Sequence, residues 1–521
     1  MTIWVSQHKQ PDGINIRALM KYIDTFLNRI TMYRLLIYYL VALIGVALFF
    51  SALSVLSYSP FSIVESAILF VGISFVLNYI FARLWNTPTN WESSILTGLI
   101  LTLIVSPPVS FSNISFIVAA ASLAIASKYI LAIHNKHIFN PAAIAVVLTA
   151  FGSQETASWW VGSTALMPFV VIGGFLLVRK IRRTKMSLIF VATALIVTEL
   201  MAVVLQKDIS STFQTLTFHS SLFFLAFVML TEPLTSPTTK TKRYIYAALV
   251  GVLFAPFFHI GSIYSTPELA LVIGNVVAFF ISPMVKTKAM IGRRHFFGNS
   301  TEAIELLPER PFNYRPGQYL ELTLPHVHAD NRGLRRYFTI ASSPTEKNLQ
   351  IGVRYYNQGS TLKSALRKLK KPLVIGQIGG DFVLPKNPSK KLAFIAGGIG
   401  ITPFRSMIKY LIDANDSRSA TLLYGERSIE DIAYADIFET ARLRGNINTT
   451  YVIPNQSTTH SPYILSGQID QTTITTKIPD YLDRIFYVSG QQAMVKAMRD
   501  LLVDMGVPRR HIKVDYFSGY A

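Results

Sequence analysis

The feature that most restricts this chain is an abrupt change of pattern near residue 285. Long runs almost free of charge precede it, and short alternating runs follow it. Apolar runs at 33–56, 60–82, 93–106, 112–132, 138–152, 160–179, 186–205, 215–231, 243–260 and 267–285 read as about ten helices of a polytopic membrane domain. A full span needs roughly twenty apolar residues. Two of the runs fall short of that, with Pro107, Pro108 and Pro141 at their ends. Short segments of this kind are expected to be broken helices around an internal site, where unwound backbone is shielded from lipid. With 51% hydrophobic and 15% charged residues over 521 positions, and a mean hydropathy of +0.38, disorder, coiled coil and an ordinary soluble enzyme are all excluded.

The formal charge of +20 points first to membrane topology and anionic headgroups, then to a phosphate ligand; no nucleic acid is expected. With the amino terminus inside, the outer connections carry almost no positive charge, Lys207 excepted. The inner ones hold Arg83, Lys128, Lys136, the run Arg179 to Lys185, Lys240, Lys242, Arg243, Lys286 and Arg294. Both termini are therefore expected on the cytoplasmic side of a cell inner membrane. The first 30 residues show no cleavable signal pattern, so the first apolar run should stay as an anchor.

Cysteine is absent, so no disulfide and no all-thiolate iron–sulfur cluster can form within the chain. Haem is not expected either: His134 and His137 lie one turn apart in a loop, and His219 and His259 are solitary. No metal site is expected. Glu65 and Glu199 are the intramembrane carboxylates; a relay role competes with the commoner one of a hydrogen bond to a neighbouring helix.

Two membrane segments share a construction, small polar residues beside Pro at a helix end: Thr97 and Gly98 in the first, Thr235 and Ser236 in the second. With LTG, FNPAA (Phe139 to Ala143) and TEPLTSPTT (Thr231 to Thr239), this half resembles the B subunit of sodium-translocating NADH:quinone reductase and the D subunit of the Rnf complex. Those families carry an FMN phosphoester-linked to Thr in an SGAT motif. The resemblance implies Thr164 as the attachment site, in Val161-Gly162-Ser163-Thr164 after Trp159 and Trp160. The departures from that motif favour a noncovalent flavin or no second flavin, and Trp159 and Trp160 also suit an interfacial belt.

From about residue 292 the chain alternates in short runs, as in QYLELTLP, and reads as an antiparallel β-barrel. After Lys391 apolar strands alternate with amphipathic helices, giving an α/β parallel-sheet unit. The expected division is a segment 1–32, a membrane domain 33–285, a barrel domain 286–390 and an α/β domain 391–521. Within the last, Gly397, Gly398 and Gly400 follow a strand, and Thr402 and Pro403 open a helix, a turn that lets backbone amides approach a pyrophosphate.

The ordered motifs PGQY (Pro316 to Tyr319), RYFTIASS (Arg336 to Ser343), GSTLKSAL (Gly359 to Leu366), GDFVLP (Gly380 to Pro385), GGIGITP (Gly397 to Pro403), YGER (Tyr424 to Arg427) and VSGQQAM (Val488 to Met494) resemble the ferredoxin-NADP reductase superfamily. The resemblance implies an FAD-binding barrel and an NAD(P)-binding α/β domain. It places Arg336 on the FAD pyrophosphate, Phe338 against the flavin and Thr339 at flavin N5, with Tyr337 and Ser342 beside them. Gly359, Ser360 and Thr361 would form a second anion site; as plain N-caps they would look the same. On the nicotinamide side it places the glycine loop, Gly425, Arg427, Gly490 and Met494, with Ser489 where Cys often stands. Phe517 or Tyr520 would cover the flavin, although a core role suits Phe517 equally. Arg427 could hold a 2′-phosphate, and NADH is not separable from NADPH.

The expected function is a membrane-bound flavoprotein oxidoreductase taking hydride from NADH or NADPH onto FAD. Electrons would pass to a second flavin, a quinone or a partner redox protein, in contact with membrane lipid. The alternatives are a redox-driven cation pump and a flavin-binding membrane module that tethers a reductase.

Overall fold

The computed structural model describes residues 22–24, 26–27, 30–85, 87, 91–108, 111–133, 136–153, 156–261, 263–282, 286–311, 313–326, 330, 334–356, 359–454 and 461–517. His134 and Tyr520 lie outside these residues, as does most of the amino-terminal segment.

The apolar runs form helices α1 (Met32–Ala52), α2 (Pro60–Leu84), α3 (Trp91–Ile104), α4 (Phe111–Ile130), α5 (Pro141–Ser153), α6 (Met167–Lys180), α7 (Thr184–Val204), α8 (Ile209–Phe218), α9 (Leu222–Met229), α10 (Lys240–Phe254) and α11 (Pro267–Ile281). Local chemistry sets their starts. Thr31, Ser59, Asp208 and Thr266 each accept a backbone N–H three residues on, and Pro60 and Pro267 occupy first turns. Among the described residues four helices are long and apolar enough to cross a membrane, and a fifth span results if α8 and α9, bent by 52°, are taken together. Short helices are commoner than the two read from the sequence: α3, α5, α6, α10 and α11 have 13 to 15 residues. The chain leaves helix early at polar stretches such as Thr231–Thr239, where the backbone turns irregularly just after a π-helical run, Leu225–Met229.

Gly98 shows how closely these helices approach. A methyl group there would lie 2.7 Å from the Val71 Cα, so α3 meets α2 backbone to backbone. Glu199 departs from the ordinary pattern of an intramembrane acid, because both carboxylate oxygens are buried without a hydrogen-bond partner among the described residues.

The remainder forms two sheets. Strands β1 (Thr287–Phe297), β2 (Thr301–Pro308), β3 (Tyr319–Thr323), β4 (Arg335–Thr339), β5 (Leu349–Arg354) and β6 (Leu373–Gly379) make one antiparallel curled sheet in the order β4-β3-β6-β1-β2-β5. A single bridge, Ile340 to Ile351, joins its two edges. Its apolar side holds Leu320, Leu322, Phe338, Ile351 and Val353, closed by Leu362 and Leu366 of helix α12 (Thr361–Arg367).

The second sheet is parallel throughout. It comprises β7 (Leu392–Gly397), β8 (Ala420–Gly425), β9 (Ile447–Ile453), β10 (Ile464–Ser466), β11 (Ile485–Gln491) and β12 (Ile512–Phe517), in the order β10-β9-β8-β7-β11-β12. Helices α13 (Thr402–Asp413), α14 (Ala435–Leu443), α15 (Gln471–Lys477) and α16 (Gln492–Asp504) connect these strands.

The curled sheet rests against the helical half. The Asp381 carboxylate accepts the Lys240 amide at 3.2 Å and lies 3.8 Å from Arg243, and the Arg335 guanidinium of β4 is close enough to Tyr33 of α1 for the two to interact electrostatically.

Gly98→Leu should lower the stability of the purified protein by at least about 2 kcal/mol, because no rotamer clears the Val71 backbone. Gly72→Leu, which meets nothing within 4 Å, should stay within about 0.5 kcal/mol. Thermal unfolding of both variants in detergent compares them.

Candidate functional site: a cleft between two sheets

In the parallel sheet the chain starts at β7, winds outward to β10 and then returns to β11 on the other side of β7. The direction of winding reverses between β7 and β11. Connections diverge there and leave a crevice at the strands' carboxyl ends, where ligands of open α/β sheets bind. The glycine loop and Ser489-Gly490 lie at that crevice.

Each glycine has a separate reason. Gly398 has φ +56°, and a Cβ would sit 2.7 Å from an Arg354 guanidinium nitrogen. At Gly400 a Cβ would lie 2.4 Å from the Ser489 carbonyl oxygen. At Gly397 and Gly490 it would meet the Met494 sulfur at 3.1 Å, so one thioether covers both. At Gly425 a Cβ would make only ordinary contacts, the nearest at 3.7 Å. Thr402 donates to the Ile399 carbonyl at 3.1 Å, and Pro403 sits in the first turn of α13. The Ser489 hydroxyl is buried without a partner among the described residues. A buried orphan hydroxyl at the switch point is the kind of group a bound nicotinamide amide would satisfy. Arg427 is exposed, with its amide on Glu426 at 3.2 Å.

On the curled sheet, the Asp330 carboxylate bridges Arg336, expected at the FAD pyrophosphate, and Thr361 of the expected second anion site. One oxygen lies 3.2 Å from the Arg336 guanidinium, and the other accepts the Thr361 amide at 3.1 Å. The Thr361 hydroxyl also accepts the Asp330 amide at 3.0 Å. The donors that hold this carboxylate, a guanidinium and a helix-start amide, are of a kind that would also fit a phosphate. Ser360 caps α12 by accepting the Lys363 amide, with Gly359 preceding it.

Phe338 is packed into the apolar interior and Thr339 is buried, whereas Tyr337 is exposed with its ring 5.2 Å from that of Tyr319. Ser342 acts as a joint. Its oxygen atoms accept the Gln350 amide at 3.0 Å and the Ser406 hydroxyl at 2.6 Å, so it ties α13 to the curled sheet. The backbone of Phe517 ends β12, and its side chain lies outside the described residues.

Sequence reasoning passed over the pair that closes the cleft. Arg354 of β5 reaches Glu426, after β8, at 3.1 Å and Asp431 at 3.4 Å, with Arg354 and Glu426 both buried. Burial pushes the Glu426 carboxyl up while Arg354 opposes it. An arginine at the end of an alternating strand gives no signal that separates it from an exposed one.

In the helical half the FNPAA and TEPLTSPTT stretches meet. The Asn140 side chain donates to Glu232 at 2.9 Å, its amide donates to Asn275 at 2.8 Å, and Asn275 in turn donates to the Tyr246 hydroxyl at 3.0 Å. Thr235 bonds Glu232 at 3.2 Å, and His137 lies 3.7 Å from it. The buried Arg183 donates to the Thr231 carbonyl at 3.0 Å and to Ser236. Thr97 is turned back on Ser93 and takes no part in this network. Thr164 lies apart, exposed, with its hydroxyl on the Phe218 carbonyl at 3.1 Å and 3.2 Å from the His219 ring. Among the described residues no group of three His, Cys, Asp or Glu could hold a metal ion.

Residues 156–291 match the NQR2, RnfD, RnfE family, and residues 394–500 match the oxidoreductase NAD-binding domain. Among curated proteins the chain is similar to the stachydrine N-demethylase reductase subunit Stc4 of Rhizobium meliloti, 29% identical over 200 residues, which are 37% of this chain and 56% of that one. It is also similar to the glycine betaine monooxygenase reductase subunit of Chromohalobacter salexigens, 26% identical over 212 residues, 40% of this chain and 57% of that one. The chain spans about half the length of these relatives. A solved structure of the Amycolatopsis cytochrome P450 reductase GcoB aligns with a TM-score of 0.41 at 20% identity, covering 46% of this chain and 72% of that one.

Gly400→Ala should cost about 2 kcal/mol or more, because the obstacle is backbone, and weaken NAD(H) binding at least tenfold. Gly397→Ala should be mild, since the Met494 side chain can move. Titrating NADH into each variant and reading the thermal midpoint distinguishes the two.

Proposed function

We propose that this chain is a membrane-bound NAD(P)H-dependent FAD oxidoreductase that passes electrons to an acceptor held in or at its helical half. When bound, FAD supplies the conversion of a hydride donor into a source of single electrons. Arg336 and Thr361 would hold its pyrophosphate, and Thr339 would orient the ring. The glycine loop, Ser489 and Met494 would hold the nicotinamide nucleotide at the switch point.

One observation carries the reading. Along β4, side chains alternate between faces, so Arg336 serves the phosphate cradle while its neighbours Arg335 and Tyr337 face the other way, where Arg335 reaches Tyr33 of α1. A five-residue strand therefore touches both the cofactor cradle and the helical half. The acceptor is a second flavin, a quinone or a partner protein, and the Asn140–Glu232–Asn275 network would offer it a polar setting in the helices. Ten helices, an inner-membrane location with both termini cytoplasmic, and the divisions 1–32, 33–285, 286–390 and 391–521 complete this reading. An FMN on Thr164 would lie on the opposite side of the bilayer; its exposed hydroxyl favours access, and the altered motif argues against attachment.

A redox-driven cation pump is the second reading, favoured by the half-buried Glu232 carboxylate among Asn140, Thr235 and His137. Sodium uptake by inverted vesicles on NADH addition would support it, and quinone reduction without uptake would leave electron transfer alone.

Arg336→Ala should lose FAD affinity by about tenfold to a hundredfold, the worth of a charge-assisted bond. Asp330→Asn should retain or tighten FAD, since it removes the competing charge. Flavin released by acid from each purified variant checks both, and full retention in Arg336→Ala would sink the cradle. Arg335→Gln should leave NADH reduction of FAD unchanged and slow quinone reduction in vesicles, as stopped-flow absorbance at the flavin band and at the quinone would show.

A further inference from the structure

The glycine loop turns against a buried ion pair. A Cβ built on Gly398 would lie 2.7 Å from an Arg354 guanidinium nitrogen and 3.8 Å from Glu426 Oε1, so the loop's left-handed residue faces both members of the pair. Their side chains are 6% and 2% exposed. With so little surface they act on anything held by the loop through charge rather than through contact.

Within this group one guanidinium serves two carboxylates. Arg354 meets Glu426 at 3.1 Å and Asp431 at 3.4 Å. Glu426 also accepts the Tyr424 hydroxyl at 3.2 Å and the Arg427 amide at 3.2 Å. The side chains of Arg427 and Glu430 are exposed, and Lys363 of α12 holds the Arg354 carbonyl at 3.0 Å. Burial and the neighbouring Asp431 push the Glu426 carboxyl up, and Arg354 with the Arg427 amide opposes them. The charge on Glu426 therefore depends on how fully Arg354 is committed to it.

A pyrophosphate on the loop amides changes that commitment. Its negative charge repels the carboxylate across a water-poor corner, and it competes for the guanidinium. Both effects favour the neutral acid.

We propose that a nicotinamide nucleotide, held at the glycine loop as in the function proposed above, binds together with a proton taken from solvent by the Glu426 carboxylate. The proton returns to solvent when the nucleotide leaves. Glu426 is thus a positioning residue that acts through Arg354: neutral, it leaves the guanidinium's charge to the phosphate. The sign follows from linkage. The carboxyl holds its proton more tightly with nucleotide bound than without it, so affinity is greatest at low pH and falls as pH rises through a window above the ordinary glutamate range.

The test is calorimetric titration of NAD+ into the full-length FAD-loaded protein in detergent, from about pH 5 to about pH 8, in pairs of buffers that differ in ionisation enthalpy. The expected result is net proton uptake that peaks inside this range, with NAD+ bound about tenfold more weakly at its upper end. In Glu426→Gln the uptake should vanish and the affinity should stay at its low-pH value throughout. Tyr424→Phe removes a donor to the carboxylate and should move the uptake profile upward by roughly half a pH unit. FAD content and thermal midpoint report the fold of each variant, and Tyr424→Phe decides the matter if Glu426→Gln does not fold. A purely structural ion pair would lower the midpoint of Glu426→Gln without any proton uptake in the wild type. Absence of uptake in the wild type, uptake that persists in a folded Glu426→Gln, or an unshifted profile in Tyr424→Phe would each overturn the proposal. Failure of NAD+ to bind the wild type at any pH is a separate result, which would overturn the nucleotide site and the coupling with it.

Discussion

The buried pair between Arg354 and Glu426 is the contact on which the two-sheet architecture turns. It joins the last residue of a curled-sheet strand to the loop after a parallel strand. Two charges withdrawn from water repay their desolvation only when held in good geometry, and breaking such a pair costs about 3–5 kcal/mol. The position adds a demand, because Arg354 lies where any side chain at Gly398 would go. The glycine loop and the bridge that fixes the sheets therefore share one volume. Ser342, tied to both Gln350 and Ser406, fastens the same seam from the other end.

The second organising element is the alternation of β4. Strand geometry obliges neighbouring side chains to face opposite ways, and here the two faces meet different partners. Asp330 and the α12 start meet Arg336, while Tyr33 meets Arg335. In the helical half a comparable economy appears at Asn140, whose side chain and amide serve Glu232 and Asn275, on chain segments more than ninety residues away.

Much of this is legible in the amino-acid sequence. Apolar runs place the helices, alternation and glycine spacing separate an antiparallel from a parallel sheet, and GGIGITP marks the strand-to-helix turn at the switch point. Helix length is less legible, because local composition does not report where a π-helical run or a stretch such as TEPLTSPTT breaks the hydrogen-bond ladder. Long-range pairing is the least legible. Nothing around Arg354 distinguishes it from a solvated arginine, and nothing around Asn140 names Glu232 as its partner. Phe338 shows the same limit. A motif assigns it to a cofactor face, but whether its ring meets cofactor or core depends on Leu362 and Leu366 closing over the sheet.

The seating of the curled sheet on the helices, with Asp381 against Lys240 and Arg243, has a kinetic meaning. When donor and acceptor halves are separate proteins, their encounter is second order, and its rate follows their abundance and diffusion. Covalent linkage makes that encounter intramolecular, with an effective concentration set by geometry alone. Under the function proposed above, stoichiometry would be locked at one to one, and dilution in a growing bilayer would leave the rate of exchange between the halves untouched.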